Sequence, residues 1–246
     1  GRLRGAGFVV LQRHDRLGLR YAGDNGVGTR WFATLSALDS PYADDPGGLT
    51  AAERDADPRA AAPLAVRFDT GEAVRQQRLG GRIAHRLGDD LELRVAGYGL
   101  ARDFSNRLPF VATTLERTTA GLSVEVEGSG AAAMGAWRWV LGADADGQRD
   151  TRARYRNLFG ERGARTAWQD EDVDALGVFA LGLWSPRDDL DLELGVRYDR
   201  VDIAFGDRYL ADGDDSGGRR FEQVSPSLGL VWRQGDATAW FARAAT

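Results

Sequence analysis

The chain has 246 residues, a formal net charge of -5, 43 % hydrophobic and 28 % charged residues, and a mean hydropathy of -0.39. No run approaches the roughly 18 to 20 apolar residues of a membrane helix, which excludes a helical membrane protein but not a transmembrane barrel, whose strands need only about 9 to 11 residues and show every second one to lipid. Cysteine is absent, which removes disulfides and thiolate chemistry, and the acidic balance gives no reason to expect nucleic acid as a partner.

Glycine is abundant (32 residues) and proline scarce (7), as many strands joined by tight turns require. The stretch from Gly7 to Ala22, with Phe8, Val9, Val10 and Leu11 followed by Leu17, Leu19 and Tyr21, predicts one long strand or two short ones. Asn25-Gly26 within Gly23 to Gly28 supplies the positive φ values of a hairpin turn, and a strand from Thr29 to Leu38 follows. Asp39 to Gly71 is the longest irregular stretch, with one helical turn at Thr50 to Asp57 where Thr50 can cap with Glu53. Strand resumes from Glu72 to Leu87, with Leu79, Ile83 and Leu87 on one face and Arg78, Arg82 and Arg86 on the other, up to a turn at Gly88 to Asp90.

Leu91 to Asp103 is its partner: Leu91, Leu93 and Val95 point one way, Glu92, Arg94 and Tyr98 the other. A loop is expected at Ser105 to Phe110, then a strand from Thr113 to Glu127, a small-residue turn near Gly128 to Ala133, and a strand from Met134 to Ala145 that sets Trp137, Trp139 and Leu141 against Arg138. Asp146 to Glu171 is polar and reads as a long loop with a short helix. Strand returns from Asp172 to Trp184 with Val173, Phe179, Leu181 and Leu183 on one face, and a turn at Ser185 to Asp189 leads into the clearest alternation in the chain. There Leu190, Leu192, Leu194, Val196 and Tyr198 oppose Asp191, Glu193, Gly195, Arg197 and Asp199. An acidic, Gly-rich loop at Asp207 to Gly218 precedes the pair Phe221 to Trp232 and Ala237 to Ala245, joined across Arg233 to Asp236.

About ten antiparallel strands, each about 10 to 15 residues long and joined by alternating short turns and longer loops, describe an all-β transmembrane β-barrel of the outer-membrane type. Trp31, Trp137, Trp139, Trp184, Trp232 and Trp240 lie where interfacial aromatic girdles would sit. A soluble sandwich or propeller alternates equally well, but its strands are usually nearer 5 to 6 residues.

Three stretches resemble the TonB-dependent outer-membrane receptors: Phe221 to Arg243 with its Ser225-Pro-Ser-Leu-Gly-Leu core, Val178 to Tyr198 through Trp184-Ser-Pro-Arg-Asp-Asp-Leu, and Leu38-Asp-Ser-Pro through Pro46-Gly-Gly-Leu-Thr to Asp57-Pro-Arg. The last is similar to an extracellular loop of ferric-siderophore and ferric-citrate receptors. The resemblance implies a 22-stranded barrel of which residues 1–246 would be part, with a plug and a TonB box outside this stretch. It further implies import of a ferric siderophore or similar chelate, no catalysis, and a place in the bacterial outer membrane. The partners it implies are lipid and lipopolysaccharide, the ferric chelate, and the TonB complex engaged through the plug. A self-contained small barrel acting as an enzyme, adhesin or passive porin is the alternative.

Candidate ligand-binding residues are the inward-facing Arg78, Arg82, Arg94, Tyr98, Arg138 and Arg197, because a planar guanidinium fork suits carboxylate, catecholate or hydroxamate oxygens. Arg86, Glu92, Glu125, Asp191 and Glu193 share that alternation, and mutual pairing of mixed lumenal charges explains the same pattern. Acidic clusters at Asp44-Asp45, Asp170-Glu171-Asp172 and Asp212 to Asp215 read as solvated loops without EF-hand spacing. His14 and His85 lie far apart with no paired-Asp motif beside either, and no phosphate loop, nucleophile elbow or metal-ligand His pair is present. No catalytic residue, metal site or cofactor is therefore assigned.

Overall fold

The alternation folds into ten strands and two short helices: β1 (Gln12–Asp24), β2 (Thr29–Asp44), α1 (Ala51–Ala56), α2 (Pro63–Phe68), β3 (Gly71–Arg86), β4 (Leu91–Leu108), β5 (Val111–Ala132), β6 (Gly135–Leu158), β7 (Glu161–Arg187), β8 (Leu190–Asp207), β9 (Gly217–Gln234) and β10 (Thr238–Ala245). The structure, a computed structural model, describes residues 11–235 and 237–246, so the strand expected over Gly7 to Val10 and turn residue Asp236 lie outside the described residues. Each strand pairs antiparallel with its sequence neighbour, giving one meander in the order β1 to β10. Short connections dictate this, since a tight turn can join only antiparallel neighbours.

Directly opposed residues of antiparallel strands point to the same side, so the register defines the two faces. One continuous row runs Trp31, Ile83, Val95, Val124, Ala143, Val178, Tyr198 and Val224 across eight strands. The adjacent row on the other face runs Phe32, Arg82, Ala96, Ser123, Asp144, Gly177, Asp199 and Gln223. One face is therefore an apolar belt and the other a polar wall. Among the described residues no second layer covers the belt: Leu194 is 65 % exposed and Leu79 60 %. A soluble sandwich buries such a face against a partner sheet, so that alternative is set aside.

Along β2 the belt spans Trp31 to Ala37 and ends at Asp39, and along β8 it spans Leu190 to Tyr198 and ends at Arg200. At 3.4 Å per residue and a barrel tilt near 40°, these spans correspond to a height of about 16 to 21 Å, most of the roughly 25 Å of a lipid-facing band. Trp31, Trp139, Trp184, Trp232 and Trp240 line the short-turn end of the belt, as an interfacial girdle would.

Two expectations are corrected. Ser105 to Phe110 is not a loop, because β4 continues to Leu108 and a two-residue turn, Pro109-Phe110, opens β5. Asp146 to Glu171 is neither loop nor helix but the far half of the β6–β7 hairpin, whose strands reach 24 and 27 residues. Beyond the belt both faces of a strand meet water, so apolar-polar alternation stops although pairing continues. Val173, Phe179, Leu181 and Leu183 share one face, as expected, and it is the polar face rather than the belt, since Phe179 stands opposite Arg197 and Leu183 opposite Glu193. Both faces of β7 are apolar there, and only its pairing with β8 distinguishes them. The capped helix at Thr50 is present as α1; α2 was not expected.

Aromatic rings lie over the glycine directly opposite them. Trp31 covers Gly23, Trp139 covers Gly128, Trp137 covers Gly130, Phe179 covers Gly142 and Tyr98 covers Gly121, in each case occupying the position a Cβ would take. Ring cover of a strand glycine pins register. Gly128→Val forces Trp139 off its seat and is expected to cost about 1 to 3 kcal/mol, whereas Gly99→Ala, with nothing near its Cβ position, leaves stability within about 0.5 kcal/mol. Thermal unfolding of the protein in detergent, read from its gel-mobility shift, checks the difference.

Candidate functional site

All six expected ligand residues, Arg78, Arg82, Arg94, Tyr98, Arg138 and Arg197, lie on the polar face, but they do not converge on one pocket. Arg94 sits at the centre of a ladder near the short-turn end, bonded to Glu92 at 2.8 Å, paired with Glu127, and 4.0 Å from Glu125. Arg30 extends the ladder to β2 through Glu92 (2.6 Å) and Arg138 extends it to β6 through Glu127 (3.8 Å). Glu125 and Glu92 are thus held by arginines, as are Asp191, bound by Arg233 at 2.6 Å, and Glu193, 3.9 Å from Arg243.

Two further bonds converge on β6 by a shared geometry. Tyr98 on β4 reaches over Gly121 on β5 and donates to Asp146 at 2.6 Å. Arg197 on β8 reaches over Gly177 on β7 to Asp144 at 2.8 Å while holding Asp199 on its own strand. A Cβ on either glycine would occupy the space the crossing side chain takes. These four expected residues therefore act first as cross-strand ties. Arg78 and Arg82 differ: both are exposed and neither has an ion-pair partner among the described residues.

Sequence reasoning missed Arg117, whose fork clasps the fully covered carboxylate of Asp150 at 2.8 and 2.5 Å. Asp150 fell in the segment read as loop, where no alternation marks a face. His14 bonds Gln12 at 3.2 Å and His85 bonds Thr29 at 2.9 Å, so neither is hydrogen-bonded to a carboxylate. The acidic clusters are engaged locally: Asp170 with Arg208 and Thr151, Asp172 with Arg149. Asp214 accepts the Ser216 N–H, and bonds to the Ser216 side chain and backbone hold its carboxyl below the usual range. No group of three or more metal-ligating side chains occurs among the described residues.

The end opposite the tryptophans carries the long connections, residues 45–70 and 208–216. The first is fastened down rather than free. Phe68, 4 % exposed, packs between Phe110 and Phe159 at ring-centroid distances of 4.5 and 5.2 Å. Asn157 donates to the carbonyls of Phe68 and Leu108 and accepts the Gly160 N–H, while Arg107 binds Asp69. Asp69, Phe110 and Phe159 all adopt positive φ, a cost of roughly 1 kcal/mol or more each that burial of Phe68 helps offset. A shallow cavity of about 390 Å³ beside this knot is lined by Leu64, Arg67, Phe110 and Arg156.

An antiparallel meander with a lipid-height apolar belt outside, a charged wall inside and a girdle at one rim is part of an outer-membrane β-barrel. Residues 9–246 match the model of the TonB dependent receptor-like β-barrel family, and the chain belongs to that family. Its fold is similar to the ferric citrate transporter FecA (TM-score 0.82, 14 % identity, 96 % of this chain and 36 % of that one). It is also similar to the alcaligin receptor FauA from Bordetella pertussis (0.72, 12 %, 94 % and 35 %) and the ferric-catecholate import receptor Fiu from E. coli K12 (0.71, 10 %, 96 % and 47 %). The chain spans between about a third and a half of these proteins.

Arg94→Gln leaves Glu92 and Glu127 short of a cation on a partly covered wall and is expected to lower stability by about 1 to 3 kcal/mol, against about 0.5 kcal/mol or less for Arg82→Gln, which has no ion-pair partner among the described residues; unfolding curves of the protein in detergent decide. At the mouth, the backbone N–H and hydroxyl of Thr50 donate to Glu53 at 2.8 Å each, which holds the Glu53 carboxyl below its usual value of 4.5. The capping box therefore stabilises α1 above that usual value and is lost as pH falls through the lowered one. Amide exchange across residues 51–56 should rise with acidification in the wild type and lose that dependence in Glu53→Gln.

Proposed function

We infer that residues 1–246 are part of the barrel domain of an outer-membrane receptor that imports a ferric siderophore or similar metal chelate, energised through TonB. Family membership across residues 9–246 carries this reading, and the likeness in fold to chelate receptors supports it. The belt meets lipid, and lipopolysaccharide surrounds the strand extensions above it. The ligand enters at the loop end, over residues 45–70, the β6–β7 tip and residues 208–216, and a plug outside this stretch engages the TonB complex. The polar wall takes part as ligand contact or as the lining of the path, and the protein binds its cargo without chemical turnover.

Deleting the gene from an iron-starved host should abolish uptake of 55Fe presented as at least one member of a panel of ferric citrate, ferric tricatecholate and ferric trihydroxamate. Dissipating the proton-motive force should stop the same uptake in the wild type. Uptake of every chelate unchanged by the deletion overturns the reading.

A further inference from the structure

Charge on the polar wall is divided unevenly. From β4 to β10 most of the wall's carboxylates are held by arginines, through the ladder centred on Arg94, the Arg197 bonds, and the Arg117–Asp150, Arg152–Glu171 and Arg233–Asp191 pairs. On β1 to β3 the pattern breaks. Arg16 and Arg20 on β1 and Arg78 and Arg82 on β3 are exposed, and no carboxylate of the described residues lies within ion-pair distance of any of them. Arg20 rests 4.7 Å from the Phe32 ring centroid, and the other three have no polar side-chain partner among the described residues.

Their register forms a ladder. Arg16 stands opposite Leu38 of β2, Arg78 opposite Ser36, Arg20 opposite Thr34 and Arg82 opposite Phe32. One guanidinium therefore appears at every second residue of β2, alternately from its left and right neighbour. Successive rungs lie about 12 Å apart backbone to backbone, and the four climb about 20 Å along the strand. At the lower end the ladder runs into Arg30, which is already bound to Glu92. At the upper end, in the row of Leu38 and Gln76, stands Arg102, which has no ion pair and whose Nε is the one buried side-chain polar atom without a hydrogen-bond partner among the described residues.

Like charges at this spacing, with no carboxylate partner among the described residues, repel one another, so their arrangement favours a mobile anion that several rungs can share in turn. The ladder also follows the strand direction, which is the direction from the loop end to the short-turn end. Resting on the receptor reading above, we propose that Arg102, Arg16, Arg78, Arg20 and Arg82 form an anion-guiding ladder, and that the imported chelate carries net negative charge and moves along the β1–β3 wall. Citrate-type carboxylates and catecholate oxygens both fit a guanidinium fork; an uncharged hydroxamate complex gains nothing from it.

The test uses the full-length receptor in its iron-starved deletion host, with 55Fe supplied as ferric citrate, ferric tricatecholate or an uncharged ferric trihydroxamate. Wild type should import an anionic member. The pair Arg78→Gln with Arg82→Gln should lower its maximal velocity about tenfold with KM changed less than the velocity, and the Lys pair should restore most of the rate. Arg75→Gln, the same charge change on the apolar face near Asp39, should leave uptake as it was. Transport by the wild type of the uncharged chelate alone, or wild-type velocity in the Gln pair, overturns the ladder while leaving the receptor reading intact. Sensitisation of the Gln pair to vancomycin, marking an opened lumen, assigns these arginines to clasping carboxylates of the plug and also overturns it. Transport of none of the three by the wild type overturns the receptor reading and the ladder together.

Discussion

Inside a bilayer a backbone N–H or C=O has no water to bond, so each must find its partner on the neighbouring strand. That demand fixes the meander, and the meander fixes every side chain's surroundings. Because side chains alternate, a slip of one residue between β7 and β8 would turn Arg197 and Glu193 toward lipid and Leu194 and Val196 toward the lumen. An arginine on the lipid face near mid-bilayer costs about 2 to 4 kcal/mol. The row of Ile83, Val95, Val124 and Val178 and the adjacent row of Arg82, Asp144 and Asp199 are thus two consequences of one register.

Register in turn is held from both faces. On the lipid side Trp139 and Trp137 fit only over Gly128 and Gly130, and a shift would set the rings against a side chain. On the lumenal side Tyr98 and Arg197 cross Gly121 and Gly177 to reach Asp146 and Asp144, binding three strands with one bond each. Such glycines are costly to order, yet here the missing Cβ is the space another side chain needs. With so few buried apolar side chains among the described residues, Phe68 being the one large example there, these ties take the place that a packed core has in soluble domains.

Legibility followed the membrane. Between Leu190 and Asp199, or Leu91 and Tyr98, one face meets lipid and the other the lumen, so alternation marked strand, faces and turns correctly. Past the rim that asymmetry vanishes, and the β6–β7 extension, as polar as any loop, was indistinguishable from one although its backbone pairing never breaks before the bulge at Tyr155. The six candidate residues were placed on the correct face for the same reason. What alternation cannot tell is which lumenal charges already have partners, since Arg94 and Arg82 read alike along their own strands. Pairing depends on which residues of the next strand or the one beyond it lie beside each arginine, Glu127 for Arg94 and Asp144 for Arg197, and that comes only with register.

The distinction between spoken-for and unpaired arginines bears on how one wall can be both rigid and permissive. Arg94 and Arg197 are locked to carboxylates, and a passing anion would have to displace those bonds. Exchanging one carboxylate for another on a tied arginine gains little, because the displaced partner is left charged and partly covered. Among the described residues Arg78 and Arg82 have no such bond to break. A lumen built of tied charges along β4 to β10 and open ones along β1 to β3 therefore directs negative charge to one side without surrendering the cross-strand bonds that keep the barrel in register.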